Sequence, residues 1–339
     1  MLHKTTKMAA VAMAGVLALG QPLQAQEEVK LRFAHPLSST HYAWVEGLGR
    51  MADAVVEASD GTVSYEVYPA GQLGKDYVSV LNSKLADIVV LIPSYASDKM
   101  PLTTVAELPV KYEDACDATR KLWEIARPGG VLSEAEYKPQ GMRALFVTIL
   151  PGYKVPTTTK PVRSLADLQG LKIRASGAAM EQTVRALGAV PIQLTASEIN
   201  DSLRRGTIDG AIWPYHAAPP YELESLFKYG AEGPNLGSAT IVFAMAESKW
   251  QSLPENIRQE ITAAAAEAQE NLCRWTEGEE ARVRQDMIDK YGYQPAVLSD
   301  EEIALWNEKT ATVAEGWAAR MNDNRKPGTE ILEAFRQAE

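Results

Sequence analysis

Arg174 offers the most distinctive chemistry in the chain. It closes the run Leu171-Lys-Ile-Arg174 and is followed by Ala-Ser-Gly. A guanidinium at the carboxyl end of a strand points into a cleft. Its planar fork there fits a carboxylate with two parallel hydrogen bonds. On an edge strand the same residue is only a surface arginine, and the pattern alone leaves both readings open. Trp213, Tyr215 and Tyr221 lie close together in sequence. They could form a flat wall, a cage for a cation, or plain core. The histidines, His3, His35, His41 and His216, are scattered without metal-ligand spacing. Cys116 and Cys273 form no CxxC and no zinc pattern. An oxidising compartment permits them to pair, and two buried thiols fit the sequence equally well. No glycine-rich phosphate loop, GxSxG or HExxH occurs, and no carboxylate pair has spacing that singles out acid–base work. The chemistry on offer is binding, with no metal and no cofactor.

The elements that must position these residues alternate. Val29-Lys-Leu-Arg-Phe-Ala34 reads as a strand, 41–58 as an amphipathic helix, Thr62 to Tyr68 as a strand and Asp87 to Ile92 as a short apolar strand covered on both faces. A second round begins near 150, with prolines at 151, 156 and 161 marking a crossover. Strand 171–174, helix 178–187, a helix from Ser197 ended by Gly206, and strand 208–213 follow. Such alternation predicts an α/β fold with mainly parallel sheets. Two rounds of it predict two lobes with a ligand cleft at the strand carboxyl ends. A helical stripe through Ile257, Ile261, Ala264, Ala265, Ala268, Leu272 and Trp275 extends from Pro254 to about Tyr291. As one helix it spans roughly 57 Å and braces both lobes; as two, it breaks at Gly278. A further helix follows the Ser299 cap.

The first residues have the layout of a secretory signal peptide: Lys4 and Lys7, an uncharged apolar stretch from Met8 to Gly20, then Pro22 and Leu-Gln-Ala25. Cleavage is expected after Ala25, releasing a soluble periplasmic protein, since the apolar run falls short of the roughly 20 residues of a membrane span. The expected division is signal peptide 1–25, first lobe 26–150 with 237–275, and second lobe 151–236 with 276–339. With 44 acidic and 34 basic residues the chain carries a formal net charge of -10, the wrong sign for a nucleic-acid partner and suited to a monomer.

Three segments resemble one family. They are Tyr68-Pro-Ala-Gly-Gln-Leu-Gly74, Ser164-Leu-Ala-Asp-Leu-Gln-Gly-Leu-Lys-Ile-Arg174, and Leu187-Gly-Ala-Val-Pro191 followed by Ser197-Glu-Ile199 and Gly206-Thr-Ile-Asp-Gly210. In order and spacing they resemble the extracytoplasmic solute-binding subunits of TRAP transporters, the DctP-like family. The resemblance implies a small organic anion as ligand, a small and a large membrane subunit as partners, and uptake driven by an ion gradient. It also implies closure about hinges near 150 and 237.

Carried over by position, the family's ligand-anchoring arginine falls on Arg174. A second arginine of the sialic-acid-binding members falls on Lys154, which keeps the charge and loses the fork. The asparagine many members carry is replaced by Trp213, and a phenylalanine by Ala196. Trp213 resembles the keto-acid-binding branch, but its neighbour Ile212 takes the place of that branch's metal-binding acid. His35 and Tyr95 follow strands whose ends line the family's cleft, with Tyr42, Trp44 and Asp76 as weaker members of the same wall. A carboxylate is the favoured ligand. A short sulfonate or a betaine-like zwitterion are alternatives, as are a periplasmic enzyme on the same scaffold and a ligand-sensing partner of a membrane receptor.

Overall fold

The computed structural model describes residues 28–338, so the expected signal peptide lies outside it. The strands are β1 (Val29–Ala34), β2 (Val63–Tyr68), β3 (Ile88–Leu91), β4 (Met142–Ile149), β5 (Val155–Thr157), β6 (Lys172–Ala175), β7 (Val190–Gln193), β8 (Gly210–Ala211), β9 (Tyr229–Glu232), β10 (Thr240–Ala246) and β11 (Gln294–Val297). They form two sheets, ordered β2-β1-β3-β10-β4 and β11-β9-β5-β8-β6-β7. Each sheet is the centre of one lobe. The apolar strand β3 is buried along its whole length, as is β10 beside it. Helices cover both faces, which is why these strands read as continuous apolar runs.

The sheets are mixed where simple alternation predicts mainly parallel pairing. β1 runs parallel to β2 and β3, but β10 is antiparallel to β3 and β4. In the second sheet β5 is antiparallel to β8 and β9, while β6 is parallel to β7 and β8. The reason is the double crossover. The chain leaves the first lobe at the end of β4 and re-enters it at the start of β10, so the two strands lie side by side in opposite directions. Their extensions stay paired beyond the sheet: Leu150 N–H donates to the Ala239 carbonyl (3.0 Å) and Tyr153 N–H to the Gly237 carbonyl (3.1 Å). Gly237 has φ +83°, and a Cβ there would stand 2.2 Å from the Glu107 carbonyl oxygen. This turn therefore admits only glycine without displacing the backbone around Glu107.

The long helix is continuous from Glu255 to Tyr291, 37 residues, and passes through Gly278 without a break. At 1.5 Å per residue it reaches roughly 56 Å. It touches both lobes. Gln269 accepts a hydrogen bond from the β4 backbone at Val147 (3.1 Å), and Arg284 forks onto Glu232 of β9 (2.7 and 3.0 Å). Cys273 on this helix is bonded to Cys116 on helix Ala115–Ala126, with Cα atoms 5.2 Å apart. The two cysteines, whose state the sequence left open, are thus a disulfide. It clamps the long helix to the first lobe.

The carboxyl-terminal residues cross between lobes. Helix Asp300–Asp323 starts on the second lobe, where Glu302 accepts from the Leu165 N–H (2.9 Å), and ends on the first, where the Trp317 indole donates to Thr104 (2.9 Å). Helix Gly328–Gln337 buries Ile331, Leu332 and Phe335 in the first-lobe core with Leu122 and Ile125. Assigning 276–339 wholly to the second lobe therefore misplaces its end. An amphipathic stripe says that a helix packs, not on which lobe.

Candidate functional site

A cavity of about 50 Å³ lies between the lobes, where β3, β10, β6 and the segment after β8 converge. That is several times the roughly 10–15 Å³ one water needs. Arg174, in β6, is 2% exposed and lines the cavity. Its Nε donates to the Leu194 carbonyl at 3.0 Å, which fixes the guanidinium plane. The guanidinium carbon lies 5.1 Å from the centre of the Trp213 ring. No carboxylate among the described residues forms an ion pair with it. A buried cation is costly unless paired and hydrogen-bonded. An arginine held by one nitrogen and one aromatic face, with its terminal nitrogens unbonded by protein, is built to receive an anion.

Aromatic residues form the rest of the wall. Trp213 is 5% exposed, meets Tyr221 edge to face at 5.6 Å, and leaves its indole N–H without a partner. Tyr42 and Tyr153 also line the cavity, as does His41. The His41 Nδ1 accepts from the Ala43 N–H (3.2 Å), so in the neutral ring the proton sits on Nε2, which faces the Tyr221 hydroxyl at 3.4 Å. Burial pushes the His41 pKa down to about 3, so this ring is uncharged at neutral pH.

Besides the His41–Tyr221 approach, two contacts bridge the lobes over the cavity. The Tyr95 hydroxyl accepts from the Ala196 N–H at 3.0 Å. Gly177 (φ +72°), which opens the helix after β6, abuts Ser94, and a Cβ there would stand 2.9 Å from the Ser94 Cβ. The glycine of the Arg174-Ala-Ser-Gly177 run is thus what lets the lobes meet.

The sequence-derived residues fall into two groups. Arg174, Trp213 and Tyr95 line one cavity, with Ala196 beside them. Lys154, Tyr215, His35 and Asp76 are not among its walls. The Lys154 ammonium donates to Glu280 (2.5 Å) and to the Gly152 carbonyl (2.7 Å). Glu280 also accepts from the backbone N–H of His216 and faces its ring Nδ1, both at 2.9 Å. Burial pushes the Glu280 carboxyl up, but the His216 hydrogen bonds and the Lys154 charge outweigh it and hold the pKa at about 2. The lysine charge is therefore already neutralised within the protein. Tyr215 is core: its hydroxyl donates to Glu232 (2.5 Å) and sits 2.9 Å from that of Tyr293. With Tyr215 turned away and Arg174 already over the Trp213 face, the cation cage does not form. His35 is fully buried and stacked on Trp44, and burial lowers its pKa to about 4. Asp76 caps helix Tyr77–Asn82, accepting from the Ser79 N–H (3.1 Å), and pairs with Lys99 in a separate surface depression.

The cavity also has polar walls that sequence reasoning missed: Ser94, just before Tyr95, and Thr240, the first residue of β10. A third missed residue, Glu107, lies behind them and is 2% exposed. One signal was available, a lone carboxyl inside the apolar run Val105-Ala-Glu-Leu-Pro109.

The model of the DctP family, described as bacterial extracellular solute-binding protein, family 7, matches residues 33–320. This chain belongs to that family. Among relatives of this family-7 chain, the C4-dicarboxylate-binding periplasmic protein DctP of Rhodobacter capsulatus is 28% identical over 329 residues, covering 95% of this chain and 94% of that protein. Among solved structures, a TRAP solute-binding protein from Rhodoferax ferrireducens with copurified benzoate is 26% identical and superimposes with a TM-score of 0.81. That match covers 91% of this chain and 96% of the other. A marine metagenome TRAP solute-binding protein has the same fold at 23% identity and a TM-score of 0.83, covering 92% and 98%. The two-lobed fold is that of TRAP solute-binding proteins.

Proposed function

We propose that this chain is the periplasmic receptor of a TRAP transporter, and that it captures a small organic carboxylate on Arg174 and delivers it to the membrane subunits. One observation carries the anchor: a guanidinium 2% exposed, without an acid partner, facing a cavity between two lobes. A carboxylate supplies the missing charge and two acceptor oxygens in the plane of the fork. Trp213, Tyr221, Tyr42 and Tyr153 cover the ligand's carbon skeleton. The protein binds and releases without turnover, a reading supported by the family model and the curated relative, both named as binding proteins. The relative that binds a C4-dicarboxylate and the structure that holds benzoate support this class of ligand.

The test is a thermal-shift panel of carboxylates, short sulfonates, betaines and neutral sugars on the mature protein. A ligand at a hundred times its Kd stabilises by about 2.7 kcal/mol. Carboxylates are expected to raise Tm in the wild type and not in Arg174→Ala. A response confined to sugars or betaines, or one that survives the substitution, refutes the anchor.

A further inference from the structure

The cavity holds more unpartnered polar atoms than a single carboxylate uses. The hydroxyls of Ser94 and Thr240 line it and have no hydrogen-bond partner, as does the Trp213 indole N–H. These residues are 7%, 0% and 5% exposed. Buried polar groups are ordinarily paired, so unpartnered ones on a cavity wall mark where a ligand's polar atoms go. The Glu107 carboxyl lies behind the hydroxyls, close enough to Ser94 and the Thr240 backbone for both to pull its pKa down, though neither of its oxygens makes a hydrogen bond of good geometry.

Charge decides what those groups can receive. Arg174 is the one cation on the cavity wall among the described residues. Lys154 is neutralised by Glu280, and His41 is neutral. A second carboxylate on the ligand would be buried without a counter-charge, beside a carboxyl that repels it whenever ionised. Serine and threonine hydroxyls, by contrast, both donate and accept, and suit an uncharged oxygen.

Building on the Arg174 anchor, we propose that Ser94 and Thr240 form a second recognition end which takes a hydroxyl or carbonyl oxygen of the ligand. The transported solute is then a hydroxy- or oxo-monocarboxylate and not a dicarboxylate. Glu107 acts as a positioning residue behind the two hydroxyls. Burial pushes its pKa up to about 8, against the pull of Ser94 and the Arg174 charge, so at neutral pH it is a neutral acid.

The experiment is calorimetric titration at pH 7 with matched acids: propionate, lactate and pyruvate; phenylacetate and mandelate; succinate and malate. Within each matched monocarboxylate set, the oxygenated acid should bind about tenfold more tightly, the worth of one to two buried hydrogen bonds. Ser94→Ala and Thr240→Val should remove that preference, so that lactate and propionate bind each variant with similar affinity; Thr240→Ser should retain it. Equal affinity for plain and oxygenated acids, or tightest binding of succinate or malate, overturns the inference while leaving the Arg174 anchor standing. Loss of all carboxylate binding, or binding that persists in Arg174→Ala, overturns the anchor and the inference together. Melting of the unliganded variants within a few degrees of wild type separates these outcomes from misfolding.

Discussion

Replacing Arg174 by methionine should close the empty protein. In the arrangement described here the lobes meet through Tyr95–Ala196 and Ser94–Gly177, and Arg174 is buried without a counter-ion. An uncompensated buried charge costs about 3–5 kcal/mol. The Leu194 hydrogen bond and the Trp213 face return about 1 kcal/mol each. Closure without ligand is therefore uphill by roughly 1–3 kcal/mol from this source alone, a factor of about 5–150 in favour of open forms that hydrate the guanidinium. A bound carboxylate reverses the sign, which makes closure report loading. Methionine keeps much of the volume and removes the charge, at the loss of about 1 kcal/mol for the Leu194 carbonyl. Small-angle scattering and lobe-to-lobe energy transfer should find wild type contracting only with ligand. Arg174→Met should be contracted without ligand and indifferent to it. A folded Arg174→Met that stays as extended as empty wild type, or an empty wild type already contracted, would refute the argument.

Two further outcomes follow from groups around the site. Removing the disulfide by Cys116→Ala with Cys273→Ala frees a loop of 157 residues; the chain-entropy relation gives about 5 kcal/mol of lost stability, read as a lower urea midpoint with a steeper slope, because the uncrosslinked denatured chain exposes more surface. Glu107 has a folded pKa of about 8, above its ordinary 4.5, and is faced by the Arg174 guanidinium and the Tyr153 hydroxyl as well as by Ser94 and Thr240. Its contribution to stability is complete below the unfolded value and is lost as pH rises through about 8. Carboxylate affinity should fall over the same upper range, as an anion appears near the ligand. Glu107→Gln should flatten both profiles between pH 7 and 9, and an unaltered decline in that variant would assign it to another group.

How much of this was legible before folding depends on the residue. Arg174, Trp213 and Tyr95 reach one cavity wall; the strand pattern alone left Arg174 open between cleft and surface, and it was the family resemblance that put all three toward the cleft. Lys154 and Tyr215 look equally suitable in sequence, yet one meets Glu280 from 126 residues away and the other Glu232 and Tyr293. Whether a charge is free or already neutralised is a question about distant neighbours.

By itself, the sequence determined the periodicities: two rounds of strand and helix, an amphipathic stripe from Ile257 to Trp275, and an arginine where a strand ends; that the helix runs on through Gly278 came from the structure. Those follow from local geometry, since side-chain direction repeats every 2 residues in a strand and about every 3.6 in a helix. Only the tertiary structure decided that Cys116 meets Cys273, that β10 runs against β3, and that the last helix returns to the first lobe. It also decided that Ser94, Thr240 and Glu107 gather beside Arg174. These are pairings between residues far apart in the chain, chosen by the burial and charge of the whole assembled core, and no local repeat encodes them.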